Sequence, residues 1–191
     1  MRTARVVRHC GLALVACVTT GGLYAVIPTD FAARAWTVAS AFASLGFLAV
    51  AMSLGPLIVL RGGRPPKHLE WRRDLGIWAA VLGLAHVLVG LRVHFGGVWS
   101  TYFVYGAADA GPAGGLRTDA IGMANWAGLL ATTILIALLA TSNNISIRRM
   151  GLDRWKWLQR TAYVYVLAVA AHGVVYQRLT ARPLPAVVFV V

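Results

Sequence analysis

Five long apolar stretches alternate along this chain with short polar connections rich in arginine. A bilayer core takes roughly 20 apolar residues per helix, so the pattern predicts spans over Cys10–Ile27, Trp36–Leu60, Leu75–Val93, Ala120–Ala140 and Trp157–Gln177. In lipid the backbone must satisfy its own hydrogen bonds, and helices do so within one segment. The expected fold is therefore an all-α integral membrane protein, a single domain over residues 1–191 built as a bundle of five transmembrane helices. The carboxyl end, PLPAVVFVV, is apolar only from Leu184, about 12 Å of helix, and cannot span alone. It predicts a short or truncated sixth segment.

Composition agrees with the pattern: 59% of residues are hydrophobic, 13% are charged and the mean hydropathy is +0.69, whereas soluble domains carry about a quarter charged residues. The formal net charge of +12 sorts by connection. Thirteen basic residues (Arg2, Arg5, Arg8, Arg61, Arg64, Lys67, Arg72, Arg73, Arg148, Arg149, Arg154, Lys156, Arg160) fall on one predicted side, and five (Arg34, Arg92, Arg117, Arg178, Arg182) on the other. The positive-inside rule then places the amino terminus in the cytoplasm of a bacterial-type cytoplasmic membrane. No continuous basic surface stripe is left for nucleic acid.

Trp71, Trp155 and Trp157 fall at the predicted cytoplasmic edge, and Trp36 and Trp99 at the outer edge, as interfacial anchors do. Cys10 and Cys17 lie about 10 Å apart on one helix, too far to bond within it, and read as packing residues. The first segment follows three arginines and could be a signal peptide, but its apolar run is longer than usual for one and the loop alternation works with a retained helix. GGRPP stops the second helix before a basic turn, which either is solvated or contacts a soluble partner. Phe95 to Asp119 form a long outer loop rich in glycine and aromatics, either a plain connection or a cover for a cofactor or docking protein.

Two histidines interrupt the apolar segments, His86 in the third and His172 in the fifth. Ionisable groups at bilayer depth are expensive and mark functional sites. Counted along their helices from Asp74 and Lys156, the two lie roughly 18 and 24 Å in, level within the uncertainty of helix ends and in the outer half of the bilayer. Gly76, Ala79, Gly83, His86 and Gly90 fall within an arc of roughly 80°. That small-residue face serves close helix packing, gives a flat porphyrin room beside its ligand, or does both. Thr161, Tyr165, Ala168, His172 and Tyr176 share a face likewise, so hydroxyls flank the second imidazole.

Paired neutral imidazoles are the usual axial ligands of a b-type haem. His94 stands two turns further out, near a haem propionate, a quinone or water, and His9 and His68 read as solvated. HExxH, CxxC, GxGxxG and nucleophile-elbow motifs are all missing from the chain, so hydrolysis and direct nicotinamide binding gain no support.

The segments WRRDLGIWAAVLGLAHVLVG and ATSNNISIRRMGLDRWKWLQRTAYVYVLAVAAHGVVY resemble the ferric reductase-like transmembrane superfamily, and within it the haem-binding membrane subunits of periplasmic methionine sulfoxide reductase systems. The likeness covers about residues 36–177. Its more specific block carries TS, RR and WxxLxR in order, with a histidine thirteen residues after Gln159.

The resemblance implies that His86 and His172 ligate a b-type haem toward the outer face. It also implies that the inner ligands found in relatives are missing, since Gln159 and Arg73 occupy those positions; one haem is expected, not two. The fused flavin and nicotinamide domain of larger relatives is missing as well. The expected function is electron relay by a single-haem cytochrome, from membrane quinol or a separate cytoplasmic flavin reductase to an extracytoplasmic acceptor, either a sulfoxide reductase partner or ferric iron. The competing reading is a haem-free transporter or assembly subunit with structural histidines.

Overall fold

Small residues set how closely the first helices pack. In the computed structural model, which describes residues 2–28, 31–62, 69–109 and 111–179, these helices are α1 (Arg2–Val26), α2 (Ala32–Leu60) and α3 (Leu69–Val93). They belong to a first compact unit, Met1–Val93. Its core joins Leu12 and Ala16 of α1, Ala43, Phe47 and Ala51 of α2, and Leu75, Ala79 and Leu82 of α3. Alanines let the backbones approach, and the Ser44 hydroxyl donates across the gap to the Ala79 carbonyl at 2.8 Å. Pro56 lies inside α2 and removes a donor from the helix. Just before it, the Ala51 carbonyl accepts from Arg72 Nε at 3.2 Å.

α1 and α3 start eight and six residues before the predicted spans, because their charged first turns bond to each other. Asp74 is fully buried. Its carboxylate accepts from Arg8 Nε at 2.6 Å and from Arg5 at 3.4 Å, and Arg8 also reaches Glu70 at 3.1 Å. His9, expected in solvent, is half-buried: Trp78 Nε1 donates to its Nδ1 at 3.3 Å, which leaves the proton on Nε2, 3.5 Å from Asp74. Both cysteines are unpaired and exposed on α1 rather than packed in the core.

The second unit, His94–Val191, contains α4 (Ala120–Thr141), α5 (Asn144–Met150), α6 (Leu152–Arg160) and α7 (Ala162–Leu179). Asp119 caps α4 by accepting from Gly122 N at 2.8 Å, and Asn143 caps α5 by accepting from Ser146 N at 2.8 Å. α4 and α7 run antiparallel. At the far end of α4, Trp155 Nε1 donates to the Thr141 carbonyl at 2.9 Å, so this tryptophan is tied to the protein rather than serving only as an anchor.

The predicted fifth span, Trp157–Gln177, is broken at Thr161. The Thr161 hydroxyl donates back to the Leu158 carbonyl at 2.7 Å, a contact that bends helices. Among the described residues, Thr3–Val26, Ala32–Leu60, Glu70–Val93 and Ala120–Thr141 are long and apolar enough to cross a membrane. α7, 18 residues long, carries His172 within its apolar sequence and Gln177 and Arg178 in its last turn. The fold is all-α; its only extended pairing among the described residues is one bridge, Val104 to Leu116. Arg64, Lys67, His68 and the carboxyl segment from Leu184 lie outside the described residues.

The loop before α4 is folded around a charge. Arg117, 3% exposed, lies over the rings of Phe95 and Tyr105 at 4.9 and 5.1 Å and pairs with Asp109 and with Asp119. Tyr105 Oη accepts from the Thr118 and Asp119 amides at 3.2 and 3.1 Å. Burial pushes the Tyr102 phenol up from its ordinary value. Hydrogen bonding from Arg117 holds the Asp109 carboxyl below its usual range.

Two predictions follow from these charges. Asp74→Ala removes the fully buried carboxylate on which Arg5 and Arg8 converge and should cost about 3–5 kcal/mol, against under about 1 kcal/mol for the exposed Glu70→Gln; tryptophan-monitored unfolding in detergent measures both. Because the Asp109 pKa is depressed on folding, its contribution is present above the ordinary aspartate range near pH 4 and is lost as pH falls through the lowered value. Trp126, whose Nε1 donates to the Arg117 carbonyl at 3.1 Å, should change its emission at that acid transition, and Asp109→Asn should remove the transition.

Candidate functional site

His86 and His172 are each held by the backbone of the helix packed against their own. In the first unit His86 Nδ1 lies 2.9 Å from the Thr37 carbonyl oxygen of α2. In the second, His172 Nδ1 lies 2.8 Å from the Ala124 carbonyl oxygen of α4. A carbonyl only accepts, so Nδ1 carries a proton in each ring, and in the neutral form of the ring Nε2 is the unprotonated nitrogen. This is the arrangement seen where a histidine ligates a metal through one nitrogen and is oriented through the other.

Close approach of the helices makes these bonds reachable. Gly90, one turn after His86, sits where an added Cβ would be 3.5 Å from Thr37 Cγ2, an ordinary contact. Gly128, one turn after Ala124, is far tighter: a Cβ there would stand 2.8 Å from His172 Nδ1 and 3.1 Å from its Cε1. Gly83 and Ala79 are buried on the same face of α3 as His86, so the small-residue face serves helix packing in this unit.

Tyr165 and Ala168 are buried on α7. The Tyr176 ring packs on His172, with centroids 4.8 Å apart, and on His94 at 5.6 Å. Its hydroxyl donates to Asn125 Oδ1 at 2.6 Å, and Asn125 Nδ2 donates to the Tyr102 carbonyl at 2.9 Å. His94 stands one residue past the end of α3, and its amide donates to Tyr102 Oη at 3.2 Å. The structure thus gathers His94, Asn125, Gly128, His172 and Tyr176 in one cluster of the second unit.

Sequence reasoning missed Thr37, Ala124, Asn125 and Gly128. Thr37 and Ala124 act through main-chain oxygens, which leave no mark in a side-chain pattern. Asn125, a polar residue inside an apolar span, was the available signal. Among the described residues no group of three or more His, Cys, Asp or Glu side chains could hold a bare metal ion. The positions expected to lack inner ligands are otherwise engaged: Arg73 lies 4.0 Å from Asp74, and Gln159 Nε2 is 3.4 Å from Thr141 Oγ1.

The fold defines an all-helical membrane protein in which two histidines are each hydrogen-bonded to the backbone of a neighbouring helix. Residues 37–170 match the ferric reductase like transmembrane component family, and the chain belongs to that family. The protein-methionine-sulfoxide reductase heme-binding subunit MsrQ of Ralstonia nicotianae is 30% identical over 148 residues, 74% of this chain and 56% of that protein. The magnetosome protein MamZ of Magnetospirillum gryphiswaldense is 29% identical over 126 residues, 66% of this chain and 17% of that protein. The chain therefore spans about half the length of the first relative and a smaller part of the second. No solved structure matches it.

The two glycines predict different outcomes. Gly128→Ala should displace the His172 ring and destabilise the protein by about 1–3 kcal/mol, whereas Gly90→Ala should be nearly neutral. Thermal unfolding of the two variants in the same detergent checks the contrast.

Proposed function

We propose that this chain is a b-type membrane cytochrome, one domain over residues 1–191, in which His86 and His172 are the axial ligands of a single haem. The observation that carries the reading is a pair of hydrogen bonds: each imidazole, set in an apolar helix, directs its Nδ1 to a backbone carbonyl, at 2.9 Å for His86 and 2.8 Å for His172. Such an outer hydrogen bond fixes the ring and raises the basicity of the ligating nitrogen. The residues present therefore fit a haem. The relative named as a heme-binding subunit supports haem binding.

When bound, haem supplies reversible one-electron chemistry that no side chain here supplies. The chain's own residues bind, orient and shield. Gly83 and Gly90 keep the face beside His86 low, Tyr165 and Ala168 line the face of His172, and Tyr176, fixed by Asn125, holds the His172 ring from one side. His94 contributes through Tyr176 rather than as an iron ligand. Arg73 and Gln159 stand where inner ligands would be needed for a second haem, and neither side chain is a haem ligand, which supports a count of one.

The function that follows is electron relay to an acceptor outside the cytoplasmic membrane, with the amino terminus on the cytoplasmic side. A methionine sulfoxide reductase partner is the favoured acceptor and ferric iron the alternative. With the inner position lacking a ligand, membrane quinol is favoured as donor over a cytoplasmic flavin reductase.

Purified protein should show b-type bands in the reduced-minus-oxidised spectrum and one haem per polypeptide. His86→Ala and His172→Ala should each abolish the bands, and His94→Ala should keep them. A haem-free preparation that folds, or full bands in His172→Ala, would overturn the assignment.

A further inference from the structure

We propose that the end of the first unit formed by the start of α2 and the end of α3 binds an oxyanion of the phosphate class, supplied by a phospholipid headgroup. α2 and α3 are antiparallel, so Arg34 and Arg92 meet at this end. Together with Phe31, Ala33 and Val93 they line a recess of about 230 Å³. Arg34 is half-buried and Arg92 exposed; the half-buried Arg8 and the buried Arg117 have carboxylate partners, Arg8 in Asp74 and Glu70, and Arg117 in Asp109 and Asp119. Among the described residues neither Arg34 nor Arg92 has one, and Arg34 Nε is buried with no hydrogen-bond partner. Its guanidinium lies 5.7 Å from the Phe31 ring.

Two guanidinium forks converging on one recess match the geometry of phosphate oxygens. A buried donor left unmade costs free energy, so an anion completes the structure rather than merely decorating it. The setting selects a lipid as the source. Both helices are apolar enough to cross a membrane, and the recess lies at their ends, the depth of headgroups. Beside it Phe31 and Trp36 are exposed, and Trp36 packs on Tyr24 with ring centroids 5.0 Å apart, an aromatic edge of interfacial kind. A headgroup phosphate is held there by its own acyl chains lying against the helices, and a pair of positive charges favours a lipid of net charge minus one.

The test compares wild type with the double variant Arg34→Gln/Arg92→Gln, using Arg34→Lys/Arg92→Lys to hold charge constant. Native mass spectrometry of delipidated protein titrated with phosphatidylglycerol should show at least fivefold more one-lipid adduct for wild type than for the glutamine pair. The lysine pair should fall between, and phosphatidylcholine should bind wild type more weakly than phosphatidylglycerol. Inorganic phosphate alone, read as protection against thermal unfolding, should have no effect; protection equal to that by phosphatidylglycerol would overturn the lipid source. Equal adduct in all three proteins would overturn the site, provided far-UV circular dichroism shows matching helix content. Loss of haem from the glutamine pair with lipid binding unchanged would also overturn it, assigning the recess to the carboxylates of the haem. The ligand assignment to His86 and His172 stands or falls separately, on their own spectra.

Discussion

A helix in lipid has already used its carbonyls once, each accepting the amide four residues on. His86 and His172 each depend on a neighbouring helix offering a second lone pair of such an oxygen, at Thr37 and at Ala124. That bond requires backbones close enough for a ring nitrogen to reach main chain. The two units meet the requirement with different margins: a Cβ at Gly128 would press on His172, whereas one at Gly90 would meet Thr37 only at ordinary contact distance. A glycine sits one helical turn from the meeting point, Gly90 beside Thr37 and Gly128 beneath His172. Packing, tautomer and orientation are one constraint here, because whatever separates the helices also rotates the ring.

Hydropathy alone located the apolar parts of the helices well. It failed at their charged ends. Arg5, Arg8 and Asp74 look like loop residues when each is priced singly against lipid, yet they continue α1 and α3 because the carboxylate is fully buried among the cations. A window of residues along one chain segment cannot register a partner 66 positions away. His9 was misread for the same reason: its partners, Trp78 and Asp74, come from another helix. The break at Thr161 is equally invisible to hydropathy, since a hydroxyl bonding back to its own helix changes direction and not polarity.

The site was legible in half. His86 and His172 stood out because imidazoles are rare in such segments, and the faces drawn around them from helical periodicity hold Ala79, Gly83, Tyr165 and Ala168 buried. The oxygens that orient them did not, because every residue has a carbonyl. Tyr176 was placed on the right face, but its anchoring by Asn125 from α4 is a tertiary fact. The long loop gave least. Arg117 counted there as one more outer positive charge, whereas it is the centre on which Phe95, Tyr105, Asp109 and Asp119 assemble.

That loop has a core made of one cation between two rings, and the carboxylates that neutralise it are partly open to water. Dissolved ions compete for such pairs and leave aliphatic contacts almost untouched. Ionic strength thus weakens the charge pairs around Arg117 together with the exposed Arg8–Glu70 pair that joins α1 to α3, and it leaves the apolar contacts between the helices in place.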